Sequence, residues 1–237
     1  MSATQEQKLY KQLIDNIIYQ DKHITILNKP INFPVQGGNK VKYSIDKIIN
    51  LHKEHYRLTH RLDKDTSGIL ILAKSEKSAQ KITKLFQNKK IYKTYLALVV
   101  GKPEHKSDVI NYPIVKKKMP NGKEIMQIGK KDKNLKSAMT KYKVIDQLGN
   151  KLSLLEVEPL TGRKHQIRIH LTTIGTPILG DGKYGGKRAF ISNFSNKIHL
   201  HSYKIFIENY FGKPLSIKAP IPPHIQNSFD LLGIDFN

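Results

Sequence analysis

Residues 58–73, Leu-Thr-His-Arg-Leu-Asp-Lys-Asp-Thr-Ser-Gly-Ile-Leu-Ile-Leu-Ala, constrain this chain more tightly than any other stretch. Their second half reads as a buried strand, because Ile69, Leu70, Ile71 and Leu72 form a short apolar run of strand length. The first half has the opposite character. It gathers His60, Arg61, Asp63, Lys64, Asp65, Thr66 and Ser67 just ahead of the strand and ends in Gly68. Polar side chains presented on a loop by a rigid element are where chemistry concentrates. Asp63 is therefore the first candidate for a catalytic carboxylate.

The balance of charge narrows the partner. Lys and Arg number 41 against 19 Asp and Glu, a formal net charge of +22, which points to a polyanion such as nucleic acid. Only five of the basic residues are Arg, at positions 57, 61, 163, 168 and 188, and the other 36 are Lys. A chain that uses Lys so freely keeps Arg where a planar, bidentate group is needed. Four of the five fall in the two stretches 57–61 and 163–168. Cys is absent, which excludes disulfides, thiol nucleophiles and cysteine-held zinc. No apolar run approaches the roughly 18 residues of a membrane span, and the polar N-terminus carries no signal core. The expectation is a cytoplasmic protein without a membrane partner.

Elements follow in order. Residues 4–15 have helical apolar spacing at Leu9 and Leu13. Ile17–Tyr19 and Ile24–Leu27 read as strands, Ser44–His52 and Ser75–Gln87 as helices capped by Ser44 and Ser75. Residues 91–100 form a long strand, 108–128 form strands around the turn signal Pro120-Asn121-Gly122, and 138–146 and 151–158 form two more. Thr161 as N-cap and Gly175 as C-terminal stop predict a helix of about three turns. Strands at 198–207 and 215–218 and a helix at 222–232 complete the chain. Strands with a few interspersed helices predict an α+β fold on one continuous mixed or mostly antiparallel sheet. The predicted organisation is an N-terminal extension over residues 1–16 and a single domain over 17–237.

Three motifs lack the context that would make them sites. Gly180-Asp-Gly-Lys-Tyr-Gly185 spells a dinucleotide fingerprint but follows no proper strand and opens no clear helix. Asp63-Lys64-Asp65 resembles a metal site, yet Arg61 and Lys64 disfavour a divalent cation. His199 and His201 have neither Cys nor carboxylate to complete a ligand set. The stronger constellation is Asp63 beside Arg61, with a second Arg contributed by the 163–168 helix. Two guanidinium groups would hold the carboxylate ionised, as a nucleophile or general base that needs no metal. On that helix His165 and Arg168 stand three apart and share a face. Lys93 and Tyr95 share a face of their strand.

Together these pieces resemble the RluA-type pseudouridine synthases. His60-Arg-Leu-Asp63-Lys-Asp-Thr-Ser-Gly68 resembles the family signature, and Asn28-Lys29-Pro30 its first motif. Lys93-Thr-Tyr95-Leu-Ala97-Leu-Val99-Val-Gly101 resembles the second. Gly162-Arg163-Lys-His165-Gln166-Ile-Arg168-Ile-His170, followed by Gly180-Asp181-Gly-Lys-Tyr184-Gly185, resembles the third. Leu200-His201 matches a late element, so the likeness runs from about residue 17 to 220 and is closest to the RluC and RluD branches. Asn32 and Gln36 replace a Gly and a His common in the family, and about 16 residues stand where many relatives carry an RNA-binding module. The resemblance implies isomerisation of uridine in RNA to pseudouridine with neither cofactor nor metal. It implies that Asp63 acts on the ribose, Arg168 orients Asp63, Tyr95 stacks on the uracil and Leu200 walls the pocket. Arg61, Lys93, Arg163 and His165 would serve RNA phosphates or support the site. Large-subunit ribosomal RNA is the expected substrate, with transfer RNA as the alternative. An idle RNA-binding assembly factor of the same fold is the competing class; retention of Asp63, Tyr95 and Arg168 argues against it. Oligomeric state leaves no mark in the sequence.

Overall fold

The computed structural model describes residues 4–38, 41–52, 55–119, 122, 124–129 and 135–236. Along it run α1 (Gln5–Asp15), β1 (Ile17–Gln20), β2 (Ile24–Lys29), α2 (Ile45–Leu51), β3 (Arg57–Leu58), β4 (Ser67–Ala73), α3 (Glu76–Gln87) and β5 (Ile91–Val100). There follow β6 (Ser107–Asn111), β7 (Ile114–Lys118), β8 (Glu124–Ile128), β9 (Met139–Leu148), β10 (Leu152–Pro159) and α4 (Gln166–Thr173). A 3-10 turn at Gly186–Ala189, β11 (Leu200–Tyr210), β12 (Lys213–Lys218) and α5 (Pro223–Leu232) complete it. Helices accompany a large mixed sheet, as the strand-rich pattern predicts. Two compact units share the chain: Met1–Lys93 with His201–Pro222, and Thr94–Leu200 with Pro223–Asn237.

In the first unit the strands lie in the order β1-β2-β4-β11-β12, with β3 also on β4. All pairs are antiparallel except β4–β11, where His201 faces Ser67 and Ser202 faces Gly68 in parallel. Every residue of β4 is buried, as its apolar run requires. Ile69 and Ile71 pack with Ile24 and Ile26 of β2, Ile82 of α3, and Ile205 and Ile207 of β11. Each such side chain contributes about 1.5–3 kcal/mol by leaving water. Ser75 caps α3 by accepting the Ser78 amide at 3.1 Å. α1 opens with a capping box between Thr4 and Gln7 and buries Leu13. Gly68 has φ +105, and a Cβ there would lie 2.3 Å from the Ser202 carbonyl oxygen. Only Gly lets β11 approach so closely at the point where the polar loop becomes a strand.

The second unit carries the remainder of β5 with β10, β9 and β6, all antiparallel, with Tyr95 opposite Val157. β7 and β8 form a separate two-stranded ladder from Ile114↔Ile128 to Lys118↔Glu124. Of the turn signal between them, Pro120 and Asn121 lie outside the described residues. The third helix motif differs from expectation. α4 begins at Gln166, and its N-cap is His165 in the left-handed region at φ 56, not Thr161. The Thr161 hydroxyl instead accepts the Met139 amide and donates to Oε1 of Gln166, which also accepts the Arg163 amide. The Gln166 side chain thus ties Thr161 and Arg163 into the turn ahead of α4, and no side chain caps the helix itself. Gly175 ends the helix at φ +86, as predicted.

Candidate active site

Asp63 sits half-buried in the loop ahead of β4, between buried Leu62 and a turn in which its own carbonyl accepts the Thr66 amide at 3.1 Å. The loop is braced from below by Lys29, the last residue of β2. Lys29 is fully buried, and its Nζ donates to the carbonyls of Pro30 at 2.8 Å, Phe33 at 2.9 Å and Lys64 at 3.1 Å. Three acceptors match the three protons of an ammonium. One acceptor belongs to the residue after Asp63, so the backbone position of the carboxylate depends on this cation. Burial pushes Lys29 down to about 7, against the opposing pull of Asp65 and Asp63. His60 supplies a second brace, its Nε2 accepting the Ile71 amide at 2.9 Å with its ring 4.8 Å from Phe86. Desolvation and then nearby Lys93 lower His60 to about 3. It is a neutral acceptor at physiological pH, not an acid or base. Lys93 is itself lowered by burial. Arg61 is exposed and reaches Gln36 Oε1 at 3.5 Å. Ser67, first in β4, shares a 2.9 Å hydrogen bond with Nδ1 of His201.

In the second unit α4 presents Arg168, 2% exposed, to Asp181, 0% exposed. The contact is bidentate, with Nε to Oδ2 and Nη2 to Oδ1, both 2.8 Å. Oδ1 also accepts the amides of Lys183 and Tyr184. The Tyr184 ring lies 5.1 Å from the guanidinium carbon, and its hydroxyl bonds Nδ1 of His165. The glycine-rich segment therefore holds an arginine: Asp181 is its anion, and Gly180 (φ +82) is needed because a Cβ would meet the Lys197 carbonyl oxygen at 2.1 Å. His165 and Arg168 are joined through Tyr184, although His165 precedes the helix. Arg163 is exposed, and its Nε donates to the Ser137 carbonyl. Tyr95 and Leu200 are buried at 8% and 3% exposure. His199 bonds Ser228 and Leu179, a packing role. Among the described residues no group of three or more His, Cys, Asp or Glu is placed to hold a metal.

The family model for RNA pseudouridylate synthase matches residues 23–173. This chain belongs to the RluA-type RNA pseudouridylate synthases. It is 39% identical over 227 residues to the ribosomal large subunit pseudouridine synthase C of Rickettsia typhi, covering 93% of this chain and 73% of that protein. With the enzyme of that name from Vibrio cholerae it shares 32% over 219 residues, 90% of this chain and 67% of the relative. The structure of human RNA pseudouridylate synthase domain containing 4 superposes with a TM-score of 0.80 at 28% identity, over 98% of both chains. The chain is thus an RNA pseudouridine synthase, an isomerase.

The sequence put forward Asp63 and Arg168, left Lys29 without a role, and weighed Asp181 only as one letter of the dinucleotide pattern and of the third family motif. The signal for Lys29 in the sequence was a Lys two residues after the apolar run Ile24-Thr-Ile-Leu27, ahead of the strand-breaking Pro30. Asn32, standing where the family carries Gly, does adopt φ 65. The buried amine also has a thermodynamic consequence. Lys29 titrates near 10.5 when unfolded and about 7 when folded. Between those values the unfolded chain binds the extra proton, so stability rises with pH. Urea titrations should show the wild type gaining on Lys29→Met from about pH 7 towards 10.5, with a constant difference below 7. Parallel curves throughout would show that burial does not displace this amine.

Proposed function

We propose that this synthase acts on uridine in large-subunit ribosomal RNA, in the cytoplasm, with Asp63 as its catalytic carboxylate. The supporting observation is the likeness over 93% of the chain to relatives named for that substrate. In the reaction the N1–C1′ bond breaks, the uracil turns, C5 bonds to C1′, and the C5 proton leaves while N1 gains one. Asp63 acts on the ribose, either adding to C1′ or taking the C2′ proton, and Arg168 orients it. Tyr95 stacks on the uracil and assists loss of the C5 proton. Leu200 walls the base; Arg61, Lys93, Arg163 and His165 serve phosphates and supporting contacts. The target base must leave its stack, at roughly a few kcal/mol, before any of this begins. A transcriptome-wide pseudouridine map, with and without the gene, should lose signal at large-subunit ribosomal positions. Loss confined to transfer RNA would replace the target, and no loss anywhere would favour the idle-factor reading.

A further inference from the structure

One face of the β7–β8 ladder is not explained by isomerisation. Ile114 and Lys116 lie two apart on β7, and Glu124 and Met126 two apart on β8, with Lys116 opposite Met126 and Lys118 opposite Glu124. The pleat therefore puts all four on one face. Lys136 is bridged to Ile114 by two backbone hydrogen bonds, and Lys164 and His165 come from the turn ahead of α4. These seven residues line, among the described residues, a cavity of about 520 Å³ within the second unit. Its apolar floor is Met126, partly buried, backed by Ile114, 1% exposed, in the small core with Ala138 and Ile169. Its rim holds three ammonium groups and one carboxylate. Glu124 sits 2.5 Å from Lys116, which, with Lys118 and Lys164, holds it below the usual carboxylate range. Of the residues assigned to the reaction, His165 reaches the cavity, and Asp63, Tyr95, Arg168 and Leu200 do not line it.

We infer that this cavity binds a second nucleotide of the substrate RNA, outside the reacting uridine, with its base against Met126 and its phosphates on Lys116, Lys136 and Lys164. The volume falls within the range of small-ligand sites, about 300–1,000 Å³. A flat ring suits the apolar floor, where a Met thioether packs well against aromatic faces. The polar groups are lysines, point charges that match phosphate without reading sequence. A net positive rim over an apolar floor, on an enzyme whose substrate is RNA, favours a nucleotide over an acidic peptide. The site would supply position and affinity rather than base identity. This inference rests on RNA being the substrate and not on which uridine reacts.

The test uses the full chain and in vitro transcribed large-subunit ribosomal RNA, with binding read without turnover. Lys116, Lys136 and Lys164 are all exposed, so a triple Ala variant should remain folded. A control triple variant removes Lys8, Lys77 and Lys213, equally exposed and in the other unit. The slope of log affinity against log salt should shrink by about 2 in the pocket variant, about 0.7 per single-strand phosphate contact, and change little in the control. RNA carrying photoreactive uridine should crosslink to peptides containing Met126 or Lys164 in the wild type. Equal slopes for the two variants, or crosslinks that avoid both peptides, would overturn the site. Failure of the ribosomal target assignment looks different: large-subunit ribosomal positions in the pseudouridine map are unchanged on gene deletion, whatever the slopes show.

Discussion

Asp63→Asn should abolish pseudouridine formation while leaving RNA binding largely intact. Asn keeps the shape of the side chain but can neither add to C1′ nor take a C2′ proton. Loss of such a group costs roughly 10²–10⁴-fold when it acts as a base, and more if it is the nucleophile. The loop should survive the change, because its brace runs through the backbone: Lys29 holds the Lys64 carbonyl, and the Asp63 carbonyl holds Thr66. What Asn does remove is part of the negative charge that opposes the desolvation of Lys29. The variant should therefore be slightly less stable, and Lys29 should deprotonate at a lower pH. Tritium release from RNA labelled at uridine C5, or mass spectrometry of chemically tagged RNA, reads the product, and filter binding reads affinity. Full activity in Asp63→Asn would remove this residue from the chemistry. Loss of binding and activity together would mean that the carboxylate shapes the RNA surface instead.

Much of the fold was legible because local rules and burial agreed. Ile69–Leu72 reads as a buried strand and is one, and Ser75 and Gly175 cap and stop the helices they flank. The failures occur where long-range contacts decide. Thr161 is a sound N-cap by local preference, but a buried Gln166 reaches back to it and moves the helix start to the far side of a left-handed His165. Lys29 was invisible as a support because one of its three acceptors lies 35 residues away and exists only once the loop has closed. Asp181 drew no role of its own because a letter pattern carries no burial. Its true partner, Arg168, stands 13 residues earlier. The loop and strand around Asp63 were readable within one stretch, and the partners of the buried charges Lys29 and Arg168 were not, because each lies elsewhere in the chain.

That buried pair leads to the largest stability effect expected in this protein. Removing one member of a buried ion pair takes away the other's bidentate partner, at up to roughly 3–5 kcal/mol, a large share of the 5–15 kcal/mol typical of a folded protein. Asp181→Ala should therefore lower the urea midpoint strongly at unchanged slope, and the melting temperature by on the order of 10 °C. Activity falls too, because the guanidinium of Arg168 loses the fork that fixes its plane. Stability and chemistry can be separated by removing both charges. In Arg168→Met with Asp181→Asn, the Met fills the arginine stem, and the Asn oxygen still accepts the Lys183 and Tyr184 amides. The double variant should recover most of the lost stability, since apolar replacement of a buried pair is often neutral. It should nonetheless form no product, because Arg168 is absent whether or not the fold is sound. If the double variant is as unstable as Asp181→Ala, the loss reflects missing contacts and not the broken charge pairing. If it is stable and active, Arg168 serves the fold alone, and the orientation of Asp63 must come from another group.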